Sequence, residues 1–353
     1  MASLLYIGEM DRGGTSRDRA EALRSLGATV AAVSPSFHSG WRARADWLLR
    51  SRLQISPSIS RLNADIVDAF KDRTFDILWI DKGWMVQPRT IKAVREKVSA
   101  IVLFNNDNPW GEHERGIWRL HLGLIPLVDE VLVPKYSVVR PYELRGARRV
   151  SIAEFGFAPD RHFAPPAAVE KKHQLCFIGT ALKDGGGVRQ HRTEFILELA
   201  SRLPGKISLF GYGWRRAMKG HERLFKAIGD GVYDADYRRT IWESAINLSF
   251  VTKDNWEEMT HKVFEITACG GCLLAERASR LEQNFTEGSE VAFFSNVEQC
   301  AQLAAELLAD PQKRERIAAA GHGRAIRSGY DNASRLHEAI LRSPVLRDHF
   351  GGK

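Results

Sequence analysis

The amino-acid sequence predicts an α/β protein built from two Rossmann-like, doubly wound domains that face a shared cleft. Three observations support this. Short apolar runs alternate with segments of helical periodicity in both halves, which is typical of parallel sheets covered by helices on both faces. A stretch with three prolines, residues 156–174, separates the halves and is predicted to be a linker. The 353 residues are also too many for one typical hydrophobic core.

Each half is predicted from its own periodicity. In the first half we expect strands at 4–8, 29–33, 77–81, 100–105, 130–134 and 150–154, and helices at 16–26, 60–70, 89–98 and 137–145. In the second half we expect strands at 175–179, 207–211, 246–250, 272–275 and 291–294, and helices at 192–202, 236–243, 262–268, 297–309 and 311–326. The domains are thus predicted at 1–165 and 172–330. A last helix within 331–353 is expected to pack back toward the first domain.

Composition narrows the class of protein. A hydrophobic content of 44% and a charged content of 27% are ordinary for a globular protein, and no apolar run is long enough to span a membrane. The N-terminal segment has no basic stretch before its apolar run, which argues against a signal peptide. Four cysteines favour a cytoplasmic setting, and the pair Cys269 and Cys272 is expected to serve packing. The net charge of +8 indicates affinity for anions.

The most informative segment is 257–276, EEMTHKVFEITACGGCLLAE. Glu265 lies on a predicted helix that leads into a glycine turn at Gly270, and Glu257 precedes it with seven residues between them. A carboxylate accepts two hydrogen bonds from vicinal hydroxyls, and glycines admit a ligand close to the backbone, so a ribose or sugar diol suits this segment. An ordinary surface helix with a glycine C-cap is the alternative.

The segment 262-KVFEITACGGCLLAE-276 resembles the Arg/Lys-x-Phe-Glu-x-x-Ala-Cys-Gly pattern of glycosyltransferases with two Rossmann domains (the GT-B architecture), in their CgeB-like, group-1 type branch. Residues 281–325 are similar to the tail of that family, 175–192 and 207–214 to its first two donor-domain strands, and 104–110 to an Asp-x-Pro loop of its first domain. The resemblance covers most of 172–330.

This resemblance implies transfer of a hexosyl group from a nucleotide sugar, with a UDP-sugar favoured, in polysaccharide or glycoconjugate biosynthesis. The second domain holds the donor and the first domain holds an acceptor. By the resemblance, Glu265 binds the ribose, Glu257 lies near the sugar, and the transfer is retaining. No cofactor and no metal are expected, because cations and helix starts can stabilise the diphosphate.

The predicted donor-binding residues all belong to glycine turns, helix starts or the Glu265 segment. They are Gly13, Gly14, Thr180, Arg189, Gly211, Tyr212, Lys262, Glu265 and Gly270. Lys262 and Arg189 are candidate phosphate ligands, and Tyr212 is a candidate for stacking on the base. Pairing of Lys262 with Glu258, and an ordinary loop before Arg189, are the structural alternatives.

In the first domain, Asp107 follows a predicted strand and is expected to act as a general base on the acceptor or to position it. An Asx-Pro turn is the alternative. His113 is a further catalytic candidate, although loop histidines are often structural. The turn 8-GEMDRGGTS-16 has Gly14 where a Walker loop requires lysine, and no GxGxxG is present there, which argues against a nucleoside triphosphatase and a dinucleotide oxidoreductase.

Residues 41–55, WRARADWLLRSRLQI, interleave arginines with tryptophan and leucine. They are expected either to lie on an anionic membrane or an acidic acceptor, or to form a core helix whose arginines reach solvent. A peripheral position at the inner membrane face is one expectation. Two other functions stay open: a non-catalytic nucleotide- or sugar-binding protein with a structural role in a cell envelope or spore coat, and a nucleic-acid-binding protein. The second lacks a recognisable reading motif.

Overall fold

The computed structural model describes residues 2–11, 13–37, 40–111, 116–181 and 188–351, with the backbone alone at 40–42, 44, 188–190 and 254. The chain divides into two compact units. Unit 1 comprises Met1–Glu154 and Asn332–Lys353, and unit 2 comprises Phe155–Asp331.

Unit 1 is a parallel six-stranded sheet between helices. Its elements up to the boundary are β1 (Ser3–Ile7), α1 (Thr15–Ser25), β2 (Thr29–Val33), α2 (Gly40–Arg52), α3 (Pro57–Ala69), β3 (Phe75–Asp81), α4 (Pro88–Val94), β4 (Val98–Phe104), α5 (Arg119–Leu124), β5 (Glu130–Val133), α6 (Val139–Leu144) and β6 (Val150–Ile152). The strand order is β2-β1-β3-β4-β5-β6. The central strands β3 and β4 are apolar over nearly their whole length because both of their faces are covered.

Unit 2 repeats this architecture with a different strand order, β12-β11-β10-β7-β8-β9. Its elements are β7 (His173–Ile178), α7 (Val188–Arg202), β8 (Ile207–Phe210), α8 (Trp214–Ala217), β9 (Phe225–Gly229), α9 (Asp234–Trp242), β10 (Ser244–Ser249), α10 (His261–Ala268), β11 (Leu273–Glu276), α11 (Leu281–Asn284), β12 (Ala292–Phe294), α12 (Val297–Ala309) and α13 (Pro311–Arg327). All strand pairs in both sheets are parallel. The predicted class of two doubly wound α/β domains is confirmed.

Side-chain caps fix where several helices begin. Ser56 accepts a hydrogen bond from the backbone of Ile59 at the start of α3, and Asn296 and Asp310 do the same for α12 and α13. Proline occupies the first turn of α3 and of α13, where its missing N–H is not needed. The predicted starts of α12 and α13 agree with these local signals, whereas α3 begins at Pro57, three residues before the predicted position 60.

The boundary between the units differs from the predicted linker. Phe155 and Phe157 are buried in the apolar core of unit 2, and the backbone of Phe157 bonds to Tyr330. The first unit therefore ends at Glu154 rather than at 165. The last helix, α14 (Asn332–Arg342), is part of unit 1, where Leu336 and Ile340 join the core formed with α1.

Helix α2 differs from the expectation of a core helix with arginines reaching solvent. Asp46 and Arg50 are the buried side chains, whereas Trp47, Leu48 and Leu49 are exposed. For the described side chains of this helix the core-helix prediction is wrong. The buried pair is held by hydrogen bonds from Ser58 to Asp46.

Candidate functional site

The site in unit 2 lies at the carboxyl edge of its sheet. Strands β7 and β10 are neighbours although two strands separate them in sequence, so the winding direction reverses between them. Ligands of doubly wound sheets bind outside the carboxyl ends at such a reversal. The segments that follow these ends are 179–181 after β7 and 250–260 after β10, and α10 starts from the latter.

Glu265 lies one turn into α10 and is 6% exposed. Its Oε2 accepts a hydrogen bond of 2.7 Å from the hydroxyl of Tyr237 on α9. The Nε2 atoms of His162 and His261 lie 3.8 and 4.0 Å from Oε1. Burial alone raises the pKa of Glu265, but the two histidines, the tyrosine hydrogen bond and Lys262 together lower it to about 2. The carboxylate is therefore ionised although it is buried.

One oxygen of this carboxylate is available to a ligand. Oε2 is bound by Tyr237, whereas Oε1 accepts no hydrogen bond from any residue that the structure describes. Tyr237 is itself buried, and burial together with Glu265 raises its pKa well above the usual value. The tyrosine thus stays a proton donor and fixes the orientation of the carboxylate.

Lys262 is next to this carboxylate and bridges α10 to the end of β7. Its ammonium donates a hydrogen bond to the carbonyl of Ile178, and it lies 5.4 Å from the centre of the Phe177 ring. Burial and the nearby guanidinium of Arg192 lower the pKa of Lys262 to about 8. The lysine is mostly protonated at neutral pH and has two further N–H groups to donate.

Arg192, on α7, is the second cation at this edge. Its guanidinium donates to the hydroxyl of Thr252 at 3.1 Å and lies over the rings of Phe177 and Phe250. Because Arg192 depresses the pKa of Lys262, the two positive charges repel one another. An anion bound between them would relieve that repulsion.

Glu257 organises the segment after β10. Its carboxylate accepts hydrogen bonds from the backbone N–H of Thr252 at 2.7 Å and from the amide of Asn255 at 3.1 Å. Glu257 also contributes to the charge environment of Lys262. Glu257 and Glu265 thus lie at the same edge of the sheet, where Glu257 holds the loop after β10 through its hydrogen bonds.

The glycines after β8 allow two loops to approach one another. Gly211 has φ +147°, and a Cβ on it would lie 1.9 Å from the carbonyl oxygen of Gly179. Gly213 is similarly close to the backbone of Ala181. Between these glycines, the side chain of Tyr212 is 81% exposed. Thr180 is half-buried in the facing loop. The glycines are required by loop packing, whereas the tyrosine side chain is exposed to solvent.

Gly270 lies at the other edge of the sheet. It follows the C-terminus of α10 with φ +69°, and the N–H groups of Gly270 and Gly271 bond to carbonyls of the last helical turn. Because α10 runs from the carboxyl edge toward the start of β11, this turn is at the amino edge. The expectation that the glycine turn meets a ligand beside Glu265 is therefore wrong.

The site in unit 1 also lies at a reversal of winding, between β1 and β3. A cavity of about 150 Å³ opens there, lined by residues after β1, by the first turns of α1 and by residues 81–86 after β3. Gly14 lines the cavity and precedes α1 as its N-cap. Gly13 has φ +79° in the turn before it.

A buried charged cluster forms one wall of this cavity. The Nε and Nη2 atoms of Arg19 lie 2.8 and 2.7 Å from Oδ2 of Asp81, and the hydroxyl of Tyr6 donates to the same oxygen. The other oxygen, Oδ1, is buried and accepts no hydrogen bond among the described residues. Asp81 ends the apolar run FDILWID of β3, and a carboxylate at the end of a buried strand is the signal in the sequence that points to it.

Asp107 is ion-paired with Lys82 at 2.9 Å, and its backbone N–H donates a hydrogen bond to the side-chain oxygen of Asn105 at 3.1 Å. Burial raises the pKa of Asp107, but Lys82 and Lys135 outweigh this effect and lower it below the usual value. A carboxylate with a depressed pKa is a weak general base, so the structure favours a positioning role. His113, the side chain of Arg189 and the glycine run 185–187 lie outside the described residues.

Tyr237, His162, Arg19 and Asp81 complete the two candidate sites, and none of them was among the predicted site residues. Tyr237 and His162 meet Glu265 from other parts of the chain, so local sequence gives no sign of them. Arg192 is predicted from the sequence only as one of three basic residues, with Arg189 and His191, that follow a glycine run and suit phosphate recognition.

Residues 189–340 match the family of glycosyl transferase-like proteins. No curated protein matches the chain. Within the described residues, no helix combines the length and the apolar character needed to cross a membrane.

Solved structures that resemble this one include sucrose-phosphate synthase from Thermosynechococcus elongatus, with a TM-score of 0.71, 13% identity and 100% of both chains covered. Anabaena HepE in complex with UDP-glucose has a TM-score of 0.66 and 14% identity, over 96% of this chain and 98% of that one. A structure described as trehalose-6-phosphate from E. coli, bound with UDP-2-fluoro glucose, has a TM-score of 0.64 and 12% identity, over 99% of both chains. At these identities the likeness establishes a shared two-domain α/β fold.

Proposed function

We propose that this protein is a retaining, metal-independent glycosyltransferase of the CgeB-like, group-1 type, which transfers a hexosyl group from a UDP-sugar held by unit 2. The observation that carries this proposal is the buried, ionised carboxylate of Glu265, with one oxygen anchored and the other available, at the carboxyl edge of the sheet. The glycosyl transferase-like match over 189–340 includes this residue.

Glu265 suits the ribose of the donor. A carboxylate oxygen accepts hydrogen bonds from two adjacent hydroxyls, and hydrogen bonds to a charged acceptor are the stronger kind. Since Oε2 is held by Tyr237, Oε1 is the atom that a ribose diol would meet. The pKa of about 2 keeps it an acceptor at every physiological pH.

Lys262 and Arg192 suit the diphosphate. Both are cations beside Phe177, at the end of β7, and an anion there removes their mutual repulsion. When the bond between sugar and diphosphate breaks, the leaving group gains negative charge, and fixed cations stabilise it most in that state. This pair is the reason for proposing that no metal is needed.

The remaining donor groups are assigned to residues around this centre. Tyr212 presents an exposed ring suited to stacking on the base. Glu257 retains unused acceptor positions after its two hydrogen bonds and is proposed to meet the sugar. The UDP moiety is favoured because HepE and the E. coli structure were solved with UDP-sugars.

The acceptor is proposed to occupy the cavity of unit 1. An apolar cavity of about 150 Å³ is large enough to admit benzene, so one six-membered ring fits the space found here. Oδ1 of Asp81 is a buried acceptor that needs a donor, and a sugar hydroxyl supplies one. Lys82 and Asp107 are proposed to position that ring.

The decisive experiment incubates the purified chain with a panel of UDP-, GDP- and dTDP-sugars and follows thermal unfolding, donor hydrolysis and transfer to simple glycosides. We expect a UDP-sugar to raise the unfolding temperature and to be hydrolysed slowly without added metal, including in the presence of a chelator. Binding without hydrolysis or transfer would favour the non-catalytic binding protein. No stabilisation by any donor would refute the proposal.

A further inference from the structure

Helix α2 buries charged side chains and exposes apolar ones, which is the reverse of an ordinary surface helix. Its buried side carries an ion pair, Arg50 to Asp46 at 2.8 Å, with exposed fractions of 6% and 3%. The guanidinium of Arg50 lies 4.6 Å from the centre of the Phe37 ring and also over Trp84. The arginine is thus fixed inside unit 1 and is unavailable to a partner.

The outer side of α2 and the residues that follow it are apolar. Trp47, Leu48, Leu49, Leu53 and Ile55 are between 38% and 59% exposed, and we call these five residues the α2 face. Leu48 and Leu49 lie within the helix, and Leu53 and Ile55 continue the surface beyond its end. Single exposed apolar residues are common, but five within nine positions indicate an interaction surface.

The exposed charges that the described residues of positions 40–61 contribute to this face are positive. Asp46 is the only acidic residue between positions 40 and 61, and its carboxylate is buried in the ion pair with Arg50. Arg52 and Arg61 are exposed. The exposed Arg119 donates a hydrogen bond to the carbonyl of Arg52 at 2.6 Å, which fixes a further cation at the end of the helix.

We propose that the α2 face docks on an anionic lipid bilayer. An interfacial helix inserts tryptophan and leucine to the depth of the headgroups while arginines remain at the phosphates. The combination found here, five apolar side chains and arginines without an exposed acid among positions 40–61, matches that environment. The proposal goes beyond glycosyl transfer and does not depend on it.

An acidic protein would attract the same arginines, but it would not require five apolar side chains to be exposed beside them. A second copy of the chain would bring like charges together at this face. The lipid surface is the occupant that satisfies both features, because it offers apolar depth and negative charge at once.

The test is co-sedimentation of the full chain with vesicles of phosphatidylcholine alone or mixed with phosphatidylglycerol. We expect binding to the mixed vesicles that weakens as salt is raised. The double variant Leu48→Gln/Leu53→Gln should lower the partition coefficient about tenfold or more, since burying the exposed half of each leucine contributes a factor of about three or more. Leu144→Gln, at a residue 71% exposed on α6, is the matched control and should bind like the parent chain.

Thermal unfolding and far-ultraviolet circular dichroism of the variants show whether they fold, and both should be unchanged. Arg52→Glu should weaken binding to the mixed vesicles without affecting either property. The proposal is overturned if the parent chain ignores phosphatidylglycerol vesicles at low salt, or if the double variant binds them as well as the parent does. It is equally overturned if the double variant converts a dimer into a monomer with vesicle binding unchanged.

Discussion

Replacing Glu265 by glutamine tests the centre of the proposed donor site. The substitution keeps the shape of the side chain and removes its charge. In the native protein Oε2 accepts the hydroxyl of Tyr237, and Oε1 is left for the ligand. Glutamine keeps one carbonyl oxygen and replaces the other by an NH₂ group, which cannot accept a hydrogen bond. Either the tyrosine or the ribose loses its acceptor.

The expected effect on binding follows from that loss. Hydrogen bonds to a charged group contribute about 1.5–3 kcal/mol, and a factor of ten in affinity corresponds to about 1.4 kcal/mol. We therefore expect Glu265→Gln to raise the Kd for UDP by about 10- to 100-fold.

The same substitution should change stability in a pH-dependent manner. The pKa of Glu265 is lowered from 4.5 to about 2 in the folded protein, a difference that corresponds to ~3 kcal/mol of stability. Because the folded pKa is depressed, this contribution is fully present above pH 4.5 and is lost as the pH falls toward 2. The gap in unfolding free energy between the native chain and Glu265→Gln should therefore narrow over that interval.

Two measurements separate these effects: calorimetric titration with UDP at neutral pH, and urea unfolding across the acidic range. Glu276→Gln is the matched control, since Glu276 is also a partly buried carboxylate at the same edge and accepts a backbone N–H from Val251. It should leave the Kd for UDP within about threefold of the native value. The assignment of Glu265 to the ribose would be refuted if Glu265→Gln left the Kd for UDP unchanged. It would also be refuted if Glu265→Gln and Glu276→Gln raised that Kd by the same factor.

Three further changes have definite outcomes. The Kd for UDP should rise by up to about tenfold per pH unit above pH 8, because Lys262 loses its charge as the pH rises through its lowered pKa of about 8. In Lys262→Arg the cation persists, so the Kd should change only with the titration of the ligand. Gly211→Ala should lower the free energy of unfolding by about 3 kcal/mol or more, because the new Cβ would lie 1.9 Å from a carbonyl oxygen. Gly205 has φ +71° but open space around it, so Gly205→Ala should lower the free energy of unfolding by only about 1–2 kcal/mol. Asp46→Ala should cost about 3–5 kcal/mol in urea unfolding, because it leaves the charge of Arg50 buried and unpaired.

Each of these outcomes can fail in a recognisable way. Equal pH profiles for the native chain and Lys262→Arg would remove the lysine from the diphosphate site. Equal costs for the two glycine substitutions would show that the loops after β7 and β8 do not pack as closely as described. A cost below about 1 kcal/mol for Asp46→Ala would mean that Arg50 reaches solvent.

The fold could be predicted from the sequence because the buried strands of both sheets are short apolar runs. The strands that it reveals, such as β3 and β4, are covered on both faces and are apolar over nearly their whole length. Strand β9 was missed because it is an edge strand with an exposed lysine, Lys226, and three half-buried positions. The unit boundary was misplaced because prolines suggested a linker, while the burial of Phe155 and Phe157 depends on long-range packing.

The sequence predicted those residues of the candidate site that lie close together along the chain. The helix that bears Glu265 and Lys262 is visible as one segment of sequence, but Tyr237 and His162 reach the carboxylate from elsewhere in the chain. The position of Gly270 could have been placed correctly from topology alone. A helix that leads into a parallel strand ends at the amino edge of the sheet, away from the edge where ligands bind.

The two units share an arrangement that local motifs do not show. In each, a buried tyrosine donates to one oxygen of a carboxylate at the reversal point of the sheet: Tyr237 to Glu265 in unit 2 and Tyr6 to Asp81 in unit 1. Burial raises the pKa of both tyrosines, so both remain donors. Because one oxygen is fixed, the other is oriented before a ligand arrives, and less conformational entropy is lost on binding. The ribose proposed for unit 2 and the acceptor sugar proposed for unit 1 both carry hydroxyls, so each proposal supplies the oriented oxygen with a donor for the same physical reason.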